Sequence, residues 1–145
     1  MKKSLCFLFI GSIICLNFFS CKTDKHSKTE IESSLKQYDN LILKLDADSI
    51  SMLYTNDGNL GNIAIGRDSI RKFLSSFKNV KVLSQQSISD SIKISRDTAF
   101  QTGHYAQTDL IAGKDTVKVK GTFTTRWQWV PQKGWQIKRM ITKSI

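Results

Sequence analysis

The chain has 145 residues, 22 Lys and Arg against 12 Asp and Glu, and a formal net charge of +10. That length holds one domain. The basic balance raises the question of nucleic acid. Yet the lysines are scattered along strand faces and helix ends, with no RRM, KH or zinc-knuckle spacing, so no nucleic-acid partner is expected.

Lys2 and Lys3 precede an apolar run from Leu5 to Phe19, followed by Ser20 and Cys21. A basic start, a short apolar stretch and a small residue before a cut describe a secretory signal peptide over 1–20. The run is short for a membrane-spanning helix, which needs about 20 residues. Phe18-Phe19-Ser20-Cys21 resembles a bacterial lipoprotein box. In that family the cysteine is lipidated and becomes the new N-terminus. The resemblance implies an exported protein held in the bacterial cell envelope through lipidated Cys21. Loss of Lys2 and Lys3 would take the charge from +10 to +8, because no acid precedes Cys21. Cys6 and Cys15 would leave too, so neither an internal disulfide nor a cysteine metal cluster is expected.

Residues 21–28 are polar and charged and read as a tether, with His26 inert within it. Ser27 with Glu30, or Thr29 with Glu32, offers a capping box. Ile31, Leu35, Tyr38, Ile42 and Leu45 then recur at helical spacing. Asp48 can cap a second, shorter helix carrying Ile50, Leu53 and Tyr54. Asn56-Asp57-Gly58-Asn59 reads as a turn, and Leu60 to Ile65 as a short strand. A third helix follows Gly66, with Ile70, Phe73, Leu74 and Phe77 on one face. From Val80 the period changes to two, giving strands over Val80–Ile94, Asp97–Ile111, Thr116–Val130 and Trp135–Ile141. Helices grouped before strands indicate α+β: three N-terminal helices packed on a curved antiparallel sheet.

A two- or four-residue turn centred on Gly113-Lys114 pairs Leu110 with Val117 and His104 with Phe123. Phe100, His104, Ala106, Leu110, Val119, Phe123, Trp127 and Trp129 then share the inner face. Tyr105, Gln107, Lys118, Lys120 and Arg126 share the other. In the last hairpin, a three-residue loop or a bulge keeps Trp135, Ile137 and Ile141 in the core.

Asp46-Ala47-Asp48-Ser49-Ile50-Ser51-Met52-Leu53-Tyr54, Asn56-Asp57-Gly58, Gly66-Arg67-Asp68-Ser69-Ile70 and Lys133-Gly134-Trp135-Gln136-Ile137 resemble, in order and spacing, motifs of the nuclear-transport-factor-2-like superfamily. That superfamily includes ketosteroid isomerase and the SnoaL-like cyclases. The resemblance covers 29–145 and implies a cone-shaped fold with a pocket between helices and concave sheet, often dimeric. Fold does not fix activity. The pocket candidates are Tyr38, Tyr54, His104, Phe123, Trp127, Trp129 and Arg139. His104 is the residue suited to acid–base work near neutral pH. Isomerase chemistry, by resemblance, needs a tyrosine and two cavity carboxyls, and no inward acid is read here beyond Asp90. No catalytic residue and no cofactor are expected, and His26 with His104 alone makes no metal site. Three readings follow: a non-catalytic anchored domain binding a small apolar or amphipathic molecule, an enzyme using His104, and an interaction module that forms a homodimer through the outer sheet face.

Overall fold

The computed structural model describes residues 25–145. The expected signal segment over 1–20 and the expected lipidation site Cys21 lie outside the described residues. Helix α1 (Lys28–Ile42) opens on Ser27, whose side chain accepts from Glu30 N. It buries Ile31, Leu35 and Ile42. Helix α2 (Ala47–Met52) is capped by Asp46, whose Oδ1 accepts from Ser49 N at 3.0 Å, rather than by Asp48. Helix α3 (Arg67–Ser75) buries Ile70 and Leu74. The strands are β1 (Tyr54–Leu60), β2 (Ala64–Ile65), β3 (Val80–Ser95), β4 (Thr98–Ile111), β5 (Asp115–Val130) and β6 (Gly134–Ser144). They form one sheet in the order β2-β1-β6-β5-β4-β3. Every pairing is antiparallel except β1 with β6, which is parallel.

The expected turn at Asn56–Asn59 is part of β1 instead. Its turn chemistry is spent on a local bend: a Cβ at Gly58 would sit 2.7 Å from Tyr54 Cβ. The β1–β6 register shifts across the same residues, so the strand kinks without reversing. Tyr54 accordingly starts β1 and does not belong to α2. Arg67 fastens this region. Its Nε donates to Tyr54 O at 2.8 Å and its Nη2 to Gln136 Oε1 at 3.2 Å.

Two register findings decide what faces inward. The β4–β5 turn has three residues, with Ala112 (φ 50°) and Gly113 (φ 72°) left-handed, and it pairs Ile111 with Asp115. Gly103 therefore faces Phe123 and Ala99 faces Trp127. This is one residue from the expected register, and a slip of one turns every side chain of β4 over. Gln101, Gly103, Tyr105, Gln107 and Asp109 look inward, while Phe100 and His104 look out. The β5–β6 turn also has three residues, which pairs Trp129 with Trp135, and Trp127 with Ile137. A bulge then absorbs Lys138, pairing Arg126 with Arg139 and Thr125 with Met140. Beyond it, Met140 is buried, whereas Arg139 and Ile141 are exposed.

The tether is not free at its domain end. His26 is 7% exposed and wedged between Trp129 and Trp135, with ring centroids at 4.2 and 5.0 Å. Its Nδ1 lies 3.3 Å from Glu30 Oε2 and its Nε2 lies 3.5 Å from Asp97 Oδ1. Glu30 is also the acceptor for Trp135 Nε1 at 3.0 Å. The expectation of an inert His26 is therefore corrected: it is a packing element that joins α1 to the last hairpin.

Two expected outcomes follow from this packing. A Cβ at Gly103 would stand 2.1 Å from Ile88 O and 2.6 Å from the Phe123 ring. Gly103→Ala should cost roughly 1–3 kcal/mol, read from urea unfolding. The second concerns acid. The Trp135 hydrogen bond, with smaller help from His26, holds Glu30 below the usual carboxylate range against a desolvation effect that raises it. A lowered carboxylate contributes stability that is fully present above its ordinary value and is lost as pH falls through the lowered one. Unfolding midpoints of wild type and Glu30→Gln should converge as pH falls from neutral through the lowered carboxylate's range; a gap that stays constant would show that Glu30 makes no titrating contribution.

Candidate functional site

Helices α1 and α3 cross the concave face of the sheet without filling it. Between them lies a cavity of about 260 Å³. Its apolar side comes from Leu35 and Ile42 of α1, Phe73 and Leu74 of α3, and Phe123 and Met140 of the sheet. The amphipathic spacing of both helices brings these side chains to one place. The polar wall comes from Gln85 and Ser87 of β3 and Tyr105 and Gln107 of β4, with Tyr38 of α1 and Thr142 of β6 also lining the cavity. A second hollow, also about 260 Å³, continues along the same crease. It shares Ile42, Leu74, Phe77 and Gln107 with the first and adds Asp109.

Cross-strand pairing explains why the polar wall stands where it does. Gln85 faces Gln107 and Ser87 faces Tyr105 across β3 and β4. Tyr105 in turn faces Gly121 on β5. A Cβ at Gly121 would be 2.8 Å from the Tyr105 hydroxyl, so glycine there lets the tyrosine lie flat along the cavity floor. Asp39, on α1, holds the edge: its Oδ1 accepts from Ser87 Oγ at 2.7 Å and Gln85 Nε2 at 3.0 Å, and its Oδ2 from Ser87 N at 2.8 Å.

Burial pushes the Tyr38 phenol up to about 12, partly offset by the neighbouring Tyr54 hydroxyl. Burial likewise raises Tyr54 well above its ordinary value. Both stay protonated at neutral pH. The wall therefore keeps a neutral phenol that can donate or accept.

The expected site residues divide sharply. Tyr38 and Phe123 line the cavity. Tyr54 is wholly buried, with its hydroxyl 3.8 Å from Met140 Sδ, and is core. Trp127 is also core: its Nε1 donates to Gln101 Oε1 at 2.9 Å, and Gln101 Nε2 donates on to Ser89 Oγ at 2.8 Å. Trp129 packs on His26 and Trp135 at the edge of a separate surface groove. His104 lies on the outer face, its side chain 53% exposed and its Nδ1 3.0 Å from Asp90 Oδ1. It does not reach the cavity, and the reading that gave it a role there is corrected. Arg139 points outward past the bulge and donates to Asn62 Oδ1 at 3.0 Å. Gln85, Ser87, Tyr105, Gln107 and Asp109 were missed as wall residues. The αL-prone Gly113 in a three-residue turn was the signal that would have found those on β4.

Among the described residues, no group of three or more His, Cys, Asp or Glu side chains is placed to hold a metal ion. The arrangement can enclose a small molecule and hydrogen-bond one end of it.

No family model matches the sequence. No curated protein sequence matches it either. Solved structures do. A ketosteroid isomerase-like protein from Erwinia carotovora atroseptica is 20% identical and superposes with a TM-score of 0.71 over 81% of this chain and 95% of that one. An NTF2-like protein with a cystatin-like fold from Novosphingobium aromaticivorans is 18% identical, with a TM-score of 0.65 over 81% and 80%. An NTF2-like superfamily protein from Salmonella enterica serovar Typhimurium is 16% identical, with a TM-score of 0.67 over 80% and 89%. At these identities the likeness speaks for architecture and not for activity. The α+β cone of this chain, three helices on a curved six-stranded sheet, is the nuclear-transport-factor-2-like fold.

Proposed function

We propose that this protein is a membrane-anchored binding domain that takes a small amphipathic molecule into the cone. One observation carries the reading: the cavity combines an apolar side built by α1 and α3 with a polar wall built by β3 and β4. Pockets for small ligands share that make-up, a mostly apolar lining with a few polar groups to fix orientation. The volume sits near the lower edge of the usual range of roughly 300–1,000 Å³, which favours a compact ligand.

No acid–base pair supports an enzymatic reading through His104, because its imidazole and Asp90 both face solvent on the far side of the sheet. The anchor is proposed on Cys21. Five peptide units separate it from His26 and reach at most roughly 18 Å. Because His26 is seated against Trp129 and Trp135, lipid on Cys21 would hold that end of the domain close to the membrane surface.

Displacement of a fluorescent apolar dye tests the cavity. Wild type should bind the dye, and Thr142→Trp, which plugs the cavity from an exposed position, should weaken it at least roughly ten-fold with unfolding free energy changed by less than about 0.5 kcal/mol. Dye bound equally well by Thr142→Trp would place binding elsewhere. The anchor is tested by expression in a bacterium that processes lipoproteins. Cys21→Ala should move the protein from the membrane fraction to the soluble fraction; retention on the membrane would refute lipid attachment at that residue.

A further inference from the structure

The polar wall carries more information than its polarity, because chemistry decides which way each amide points. A carboxylate accepts hydrogen bonds and donates none. The NH₂ of Gln85 is therefore turned to Asp39 Oδ1 at 3.0 Å, with Ser87 Oγ at 3.2 Å. The NH₂ of Gln107 is turned to both oxygens of Asp109, at 2.8 and 2.9 Å. Each glutamine has its donors committed on the carboxylate side. What remains of each amide is a carbonyl oxygen. Gln85 Oε1 is buried and has no hydrogen-bond partner among the described residues.

Gln85 and Gln107 are cross-strand partners on β3 and β4, and both line the cavity. Ser87 adds no donor, since its hydroxyl proton is given to Asp39 at 2.7 Å. The phenols of Tyr38 and Tyr105 can serve in either sense. Charge points the same way. The chain carries 22 Lys and Arg, yet no Lys, Arg or His lines either part of the crease. The charged groups at this wall are the carboxylates of Asp39 and Asp109. An anionic ligand would be desolvated there against fixed acceptors and like charge. An alcohol or amine would instead donate to the amide carbonyls, of which Gln85 Oε1 is the one left without a partner.

We infer that the polar end of the ligand is a hydrogen-bond donor without negative charge, an alcohol or an amine, received by the carbonyl oxygens of Gln85 and Gln107. The inference rests on the reading of the cone as a small-molecule site and names the chemical class it takes. Carboxylic acids of the same shape are excluded.

A matched series tests it: 4-phenylbutan-1-ol, 4-phenylbutylamine and 4-phenylbutanoate, titrated calorimetrically into the protein at neutral pH, beside the apolar dye. The alcohol and the amine should bind at least roughly ten-fold more tightly than the carboxylate, the size expected of one well-formed hydrogen bond. Gln85→Met and Gln107→Met keep side-chain length and remove the acceptor. Either should narrow the gap between alcohol and carboxylate, in protein that retains its circular dichroism and its urea-unfolding midpoint. Two substitutions are used so that one unfolded variant does not end the test. Carboxylate binding equal to or tighter than alcohol binding would overturn the inference and leave the cavity reading standing. Failure of all three probes and of the dye would overturn the cavity reading itself.

Discussion

The pairing of Ile111 with Asp115 across the Ala112-Gly113-Lys114 turn determines which side of β4 looks into the cone. Two residues of that turn occupy left-handed backbone, and one of them is Gly113, which does so at no side-chain cost. Further along the strands the same register is enforced by size. Phe123 sits over Gly103, and Tyr105 over Gly121, each large ring opposite a residue with no side chain. Shifting β4 by one residue would set Phe123 against His104 and leave Gly103 opposite Thr124. The ring would lose its recess and the sheet its close approach at Ile88 O. Turn geometry and cross-strand packing thus agree, which is the condition for a single register.

The same constraint explains what could be read from the sequence and what could not. Helices α1 and α3 show their inward stripe plainly, because Ile31, Leu35 and Ile42, then Ile70 and Leu74, are apolar and recur at helical spacing. Strand β5 is legible for the corresponding reason, with Phe123 and Trp127 on one side and charged or polar residues on the other. Strand β4 misleads. Its inward residues are Gln101, Gly103, Tyr105, Gln107 and Asp109, whereas Phe100 and His104 face outward. Alternation assigns the apolar side of a strand to the core, and that rule fails where the core gives way to a polar-walled hollow. The cavity residues of β4 went unseen because they line a cavity. Arg139 and Ile141 were misassigned for a different reason: the bulge at Lys138 reverses parity halfway along β6, and Lys138 itself is re-aimed to pair with Asp57.

The cone is closed at one end and hollow at the other, and the difference lies in what fills the inner face. At the closed end Trp127, Gln101 and Ser89 form a buried hydrogen-bonded chain, and His26, Trp129 and Trp135 pack edge to face beside it. Toward the other end the inward positions of β3 and β4 carry Gln85, Ser87, Tyr105 and Gln107; Gln85 and Ser87 bond to Asp39, Gln107 bonds to Asp109, and the middle is left open. Filling that space with leucine and isoleucine would stabilise the fold by burying apolar area. The chain instead keeps half-buried amides whose orientation is held by two carboxylates.

Amides pinned in this way act as a pre-set surface. Holding Gln85 and Gln107 by their NH₂ groups costs rotamer freedom during folding, so the proposed ligand would meet acceptors already in place. Asp39 couples this wall to α1, since three hydrogen bonds from Gln85 and Ser87 converge on its carboxylate. Helix α1 is in turn tied to the last hairpin through Glu30, Trp135 and His26. The polar wall and the end of the domain nearest the proposed anchor are therefore both fastened to α1, one through Asp39 and the other through Glu30. A ligand seated between α1 and β3 would bear on the same helix that His26 secures at its start.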